Sequence, residues 1–120
     1  MASTNNLGVK RLINAFGFSM QGFKAAYKYE EAFRQEVFIL VLAIPLGIWL
    51  GDTAIEIILL IGSVLLLLIV ELLNSAVEAT VDRFGGEIHE LSGRAKDMGS
   101  AAVFVASVLA CMVWLLIMLR

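Results

Sequence analysis

Residues 57–83 read IILLIGSVLLLLIVELLNSAVEATVDR. No charge appears from Ile57 to Val70. Glu71 then interrupts the apolar run without ending it, because Leu72, Leu73, Ala76, Val77 and Ala79 follow. The hydrocarbon of a bilayer takes roughly 20 residues of helix. This stretch reaches that length only with Glu71 and Asn74 inside the hydrocarbon or at its edge. It is therefore expected to be a membrane helix carrying acidic groups where lipid would normally allow none.

Two further apolar blocks flank it, Val37–Gly51 and Gly99–Leu119, both free of charge. The first needs its flank back to Ala32 to span, which sets Arg34 and Glu36 near the surface. Pro45 lies inside it; a membrane helix tolerates the lost N–H, so one bent helix is expected. The chain has 120 residues, 60% of them hydrophobic and 17% charged, with a mean hydropathy of +0.89. Disorder is excluded, since it requires low hydrophobicity. A net charge of -2 with no dense basic stripe argues against nucleic-acid binding. The single cysteine, Cys111, allows neither an intrachain disulfide nor a cysteine metal cluster. It reads as a small packing residue.

The N-terminal segment has no basic region leading into an apolar stretch, so no signal peptide is expected. Val9, Leu12, Ile13, Phe16, Met20, Phe23 and Tyr27 recur at helical spacing, with Lys10, Arg11, Gln21, Lys24 and Lys28 between them. Such a helix is expected to lie flat on the headgroups. Basic residues set the orientation. Lys10, Arg11, Lys24, Lys28 and Arg34 precede the first span, and Arg83, Arg94 and Lys96 separate the second from the third. The connection Gly51–Glu56 has none. The N-terminus and the Asp82–Asp97 connection are thus expected in the cytoplasm, and the C-terminus outside. The expected architecture is all-α: a single membrane domain over 1–120. It comprises an interfacial helix (7–28), spans at 32–51, 55–78 and 98–119, and a cytoplasmic loop (83–97) turning at Gly85–Gly86.

Glu71, Asn74, Glu78 and Asp82 are spaced by three, four and four residues, which puts them on one helix face. Asp82 and Arg83 fit a helix leaving the membrane, and Glu78 fits that acceptably. Glu71 does not. Glu71 and Glu78 lie about 10 Å apart along the helix, too far to share one Mg²⁺ with ligands near ~2.1 Å. The deeper carboxylate suits proton abstraction from a hydroxyl that lives in the bilayer. The shallower one suits metal coordination. Glu30, Glu31, Arg34, Glu36, Glu87, His89, Glu90, Arg94, Lys96 and Asp97 gather at the same surface. That inventory matches a reaction between a water-soluble polyanion and a lipid. His89 alone is no metal signal. Neither a Walker-type phosphate loop nor a dinucleotide glycine fingerprint is present.

The run Val70–Arg83, the run Glu90-Leu-Ser-Gly-Arg-Ala-Lys-Asp-Met-Gly-Ser-Ala-Ala102 and the segment Glu30-Glu-Ala-Phe-Arg-Gln-Glu36 together resemble the bacterial integral-membrane diacylglycerol kinases. The resemblance extends from about Gly8 into the third span, and Phe18 and Met20 stand where relatives often carry Tyr and Trp. It implies a homotrimer with composite active sites in the bacterial inner membrane. It implies transfer of the γ-phosphoryl group of MgATP to diacylglycerol, giving phosphatidate and ADP. By the family motif, Glu71 matches the proposed general base, with Asn74 beside the reacting groups. Glu30 and Glu78 match the Mg²⁺-coordinating glutamates. Arg11, Glu87, His89, Lys96 and Asp97 match the nucleotide site, which Glu30 and Glu78 complete through the metal. Glu36 and Ser100 join Glu71 on the lipid side.

Three other readings compete. A polyprenol kinase shares the Glu-Leu-Leu-Asn core, although the Gly86–Asp97 loop looks more like the Gram-negative diacylglycerol enzymes. A small proton-coupled transporter or channel would use Glu71 for translocation and leave Lys96 and Asp97 without a task. A membrane adaptor would need none of these side chains.

Overall fold

The computed structural model describes residues 8–85 and 89–120. These form four α-helices: α1 (Val9–Tyr29), α2 (Glu31–Leu50), α3 (Ala54–Asp82) and α4 (Glu90–Met118). The last three are each long and apolar enough to cross a membrane. Helices meet that demand because every backbone N–H and C=O in the hydrocarbon is paired within its own segment. Pro45 does not end α2. Its ring lies on the exposed side of the helix.

α3 is the centre of the packing and touches both α2 and α4. Its buried row is Leu60, Ser63, Val64, Leu67, Glu71 and Asn74. In lipid, apolar side chains gain little by leaving one apolar medium for another, so close backbone approach and interhelical hydrogen bonds hold such a bundle. Both occur. A Cβ on Gly47 would lie 2.9 Å from Ile61 Cγ1 and 3.4 Å from Leu60 Cβ, so α2 and α3 meet at a glycine. Trp114 Nε1 donates to the Leu60 carbonyl at 3.0 Å and ties α4 to α3.

The helix ends are fixed locally. Thr53 caps α3 by accepting from the Glu56 N–H at 3.2 Å, and Glu56 Oε1 accepts from the Asp52 N–H at 2.8 Å. Arg120 reaches the same turn, contacting Asp52 and Glu56 at 2.7 Å each. At the opposite end Gly85 takes φ 71°, a left-handed conformation open to glycine, as the chain leaves α3. α1 and α2 are nearly continuous, broken at Glu30 with φ -118° and ψ 108°. Arg34 Nη1 donates to the Tyr27 carbonyl at 2.8 Å and to the Lys28 carbonyl at 3.3 Å. A guanidinium on the last carbonyls of α1 satisfies acceptors that no helical N–H reaches.

The connection expected over 83–97 is shorter than the charges suggested. α4 begins at Glu90, so Arg94, Lys96 and Asp97 are helical. His89 starts it, its Nδ1 accepting from the Leu91 N–H at 3.0 Å. The stretch 90–97 contains no proline, and its polar residues sit on turns of α4 that project beyond the apolar span.

The α2–α3 crossing predicts that Gly47→Leu destabilises the protein by about 1–3 kcal/mol, the usual cost of overfilling a packed contact. Unfolding in mixed detergent micelles measures this; an unchanged midpoint would refute the close approach.

Candidate active site at the α1–α2 elbow

Four carboxyl groups converge where α1, α2 and α3 meet. The 3-4 spacing along α3 puts Glu71, Asn74, Ser75 and Glu78 on one face. Glu36, in the second turn of α2, is turned toward them. Glu30 is held at the break between α1 and α2, its own N–H donating to the Ala26 carbonyl at 2.9 Å. Glu36 and Glu71 are 9% and 4% exposed, so both are withdrawn from solvent. Their carboxyl groups lie beside one another. Ser75 Oγ lies 2.9 Å from Glu30 Oε1 and 3.4 Å from Glu71 Oε2. Glu30 in turn stands beside Glu78. The result is a line of acids, Glu36, Glu71, Glu30 and Glu78, with Ser75 in the middle.

Height along α3 separates their environments. From Ala54, Glu71 lies about 26 Å along the axis and Glu78 about 36 Å. Hydrocarbon is about 30 Å thick. For an upright helix starting at the far face, Glu71 sits just below the near edge of the oil and Glu78 above it. Glu36 lies about 21 Å from Leu50, close to the same depth as Glu71.

Among the described residues the ion pairs lie elsewhere, at Lys96–Asp82 and at Arg120 with Asp52 and Glu56. No described basic side chain is therefore paired with the cluster. Two buried acceptors, Glu36 Oε1 in the cluster and Asn74 Oδ1 on the side of α3 that meets α4, have no donor among the described residues. Buried polar atoms are normally paired, and an orphan calls for an explanation. Glu36 stands beside Glu71, where an entering hydroxyl or cation would satisfy it, whereas Asn74 Oδ1 is turned toward Gly99 of α4. The four acids are strung out in a line, and no three side chains of metal-ligating type stand close enough to hold one ion among the described residues. Glu30 and Glu78 supply two hard oxygen donors, the number a phosphate-bound Mg²⁺ commonly takes from protein.

Other expected residues stand apart. Arg11, Asp97 and Ser100 are exposed. Among the described residues none of them is hydrogen-bonded to the carboxylates. Lys96 pairs with Asp82 at 3.0 Å rather than with the adjacent Asp97. Both partners are largely in water, so the pair contributes little to stability, and Lys96 remains available to an anion. His89 has a structural task as the cap of α4. Glu87 lies outside the described residues. Phe18 and Met20 are both exposed on α1.

The model for "Prokaryotic diacylglycerol kinase" matches residues 17–118. The chain belongs to this family. Proteins named diacylglycerol kinase are similar along nearly their whole length. That of Haemophilus influenzae is 58% identical over 107 residues, covering 89% of this chain and 91% of the relative. That of Escherichia coli K12 is 52% identical over 116 residues, 97% of this chain and 95% of the relative. That of Pseudomonas aeruginosa is 53% identical over 112 residues, 93% and 91%.

For this member of the prokaryotic diacylglycerol kinases, sequence reading overlooked two side chains and one glycine. Ser75 shares the acidic face but carries no charge, and its partner Glu30 is forty-five residues away. Asp82 read as a helix leaving the membrane, whereas it holds Lys96 across two helices. Gly99 read as the start of an apolar block, yet a Cβ there would collide with Asn74 Oδ1. Only the absence of that carbon lets Asn74 lie against α4.

Gly99→Ala is therefore expected to shift Asn74 and lower phosphoryl transfer roughly 10- to 100-fold, as small misplacements near reacting groups do. In an Asn74→Ala background the same change is expected to have almost no further effect. Independent, multiplying losses in the double mutant would disprove the coupling.

Proposed function

We propose that the chain is a lipid kinase that moves the γ-phosphoryl group of MgATP to the free hydroxyl of diacylglycerol, yielding phosphatidate and ADP. Family membership supports the reaction. The observation that carries the chemistry is Glu71: a carboxylate withdrawn from water within the apolar run of α3, with Glu36 beside it. A diacylglycerol hydroxyl at that height points its one proton at Glu71. Glu71 accepts its proton as the oxygen attacks phosphorus. Glu36 and Ser100 hold the glycerol end, and Asn74 orients the reacting oxygens.

Phosphoryl transfer asks a protein chiefly for placement and for charge on the phosphates. Glu30 and Glu78 are the residues to hold Mg²⁺. The ion, when bound, neutralises the phosphate oxygens as charge builds on them. Lys96 adds a point charge from the first turns of α4, and Arg11, Glu87, His89 and Asp97 complete the nucleotide side. The bilayer supplies proximity, since the alcohol is already concentrated and oriented.

A homotrimer with shared sites accords with the exposed positions of Arg11, Asp97 and Ser100, which a neighbouring copy would bring to the carboxylates. An α1 lying in the cytoplasmic interface accords with its exposed apolar row Val9, Leu12, Ile13, Phe16 and Phe23. The basic residues around α1 and the α3–α4 connection favour an N-terminus in the cytoplasm, a C-terminus in the periplasm and residence in the inner membrane.

The deciding experiment supplies the purified protein in vesicles with radiolabelled ATP, Mg²⁺ and either diacylglycerol or a polyprenol. Label is expected in phosphatidate; label in the polyprenol product alone would overturn the substrate, and none in either would overturn the reaction. Glu71→Gln is expected to lower turnover at least about 10³-fold, near the upper part of the general-base range, while nucleotide affinity changes less than about threefold. Collapse of affinity with turnover retained would reverse the role. Glu78→Gln is expected to raise the Mg²⁺ needed for half-maximal rate about tenfold, the size of one lost charged ligand.

A further inference from the structure

The geometry points to Ser75 as a positioning residue that locks Glu30, on the metal side of the site, to Glu71, on the lipid side. This rests on the lipid-kinase reading above and extends it to a residue without an assigned part.

Ser75 Oγ is the hydroxyl that touches both groups, at 2.9 Å from Glu30 Oε1 and 3.4 Å from Glu71 Oε2. A serine hydroxyl carries one proton and two lone pairs. It therefore donates to one carboxylate at a time, and the shorter contact assigns that proton to Glu30. Glu30 needs such a partner. It sits at the extended break between two helices rather than inside one, so no helical turn fixes its side chain. A bond from Ser75 to Oε1 sets the carboxylate plane and leaves Oε2 for a cation. Glu71 is anchored one turn earlier on the same helix as Ser75. The spacing between the base and the metal side is thus set across α3 by a single side chain.

The surroundings fit a rigid setting for that bond. Ser75 lines a cavity of about 310 Å³ between α1 and α3, with Glu30 and the small residues Gly22, Ala25, Ala26 and Ala76. Apart from Ser75, Tyr29 alone brings a side-chain donor to this lining, and its side chain is largely exposed. Water entering the cavity after loss of the hydroxyl would solvate Glu30 without fixing its direction. The Ser75 bond therefore orders the carboxylate rather than merely satisfying it.

Ser75→Ala, Ser75→Thr and Ser75→Cys in the full chain separate positioning from packing. Two quantities are measured for each: Mn²⁺ bound in the presence of a non-hydrolysable ATP analogue, counted from the loss of the free-ion electron-spin signal, and initial rates against diacylglycerol at saturating Mg²⁺. Ser75→Ala is expected to weaken Mn²⁺ binding about fivefold and to lower kcat roughly tenfold, the scale of one hydrogen bond to a charged group. Its KM for diacylglycerol is expected to stay within about twofold, because the bond acts on the carboxylates and not on the lipid. Ser75→Thr keeps the hydroxyl and is expected to restore both quantities. Ser75→Cys, close in volume but a weak donor, is expected to fall with alanine. Wild-type Mn²⁺ binding and kcat in Ser75→Ala would overturn the proposal. So would Ser75→Cys behaving like Ser75→Thr, or a threonine variant as impaired as alanine, because packing alone would then explain the effect. If wild-type protein binds Mn²⁺ with the analogue but phosphorylates no diacylglycerol, the lipid-kinase reading fails. An active wild type with an indifferent Ser75→Ala sinks this inference alone.

Discussion

A carboxylate does not face lipid. Removing an ionised group from water is costly unless other polar groups or a cation meet it, and Glu71 stands in the apolar run of α3 where water is scarce. The surrounding fold answers that constraint. α2 covers one flank of α3 and brings Glu36, α4 covers another at Gly99 and Asn74, and the elbow between α1 and α2 delivers Glu30 and its link to Ser75. The apolar helices below need only cross. The polar face at their upper end decides how they must be turned about their axes.

The same constraint explains why the site is left partly unpaired. A membrane helix that merely needed stability would carry leucine at position 71. Buried acceptors without donors among the described residues, at Glu36 and Asn74, cost stability and make sense where a bound group meets them. Membership of a kinase family whose named members act on diacylglycerol agrees with a ligand that is greasy, hydroxylated and already in the bilayer.

Much of this is legible in the sequence because hydropathy and helical spacing report on depth and face. Three uncharged blocks announce three crossings, and Glu71 stands out only because leucines continue beyond it. The acidic face follows from the intervals between Glu71, Asn74 and Glu78. What escapes is whatever depends on a partner far along the chain. Ser75 looks like a neutral filler until Glu30 is seen against it. The segment 90–97 looks like loop because polar residues dominate it; helix there follows from the His89 cap and the contact of its turns with α3. Lys96 meets Asp82, not its neighbour Asp97, because two antiparallel helices set that register and adjacent residues on one helix point apart.

α2 has 20 residues, whereas α3 and α4 have 29 each. The shorter helix is about as long as the oil is thick, and the longer pair exceeds it by about 13 Å. That inequality works as a gauge of immersion. On the proposed role of Glu71, an alcohol whose oxygen floats at that level would meet it, while one anchored higher among the headgroups or sunk toward the midplane would miss it. Selection among membrane alcohols can then be made by altitude, with little demand on the shape of their tails. A bilayer grown thicker or thinner would retune the preference without any change in the protein.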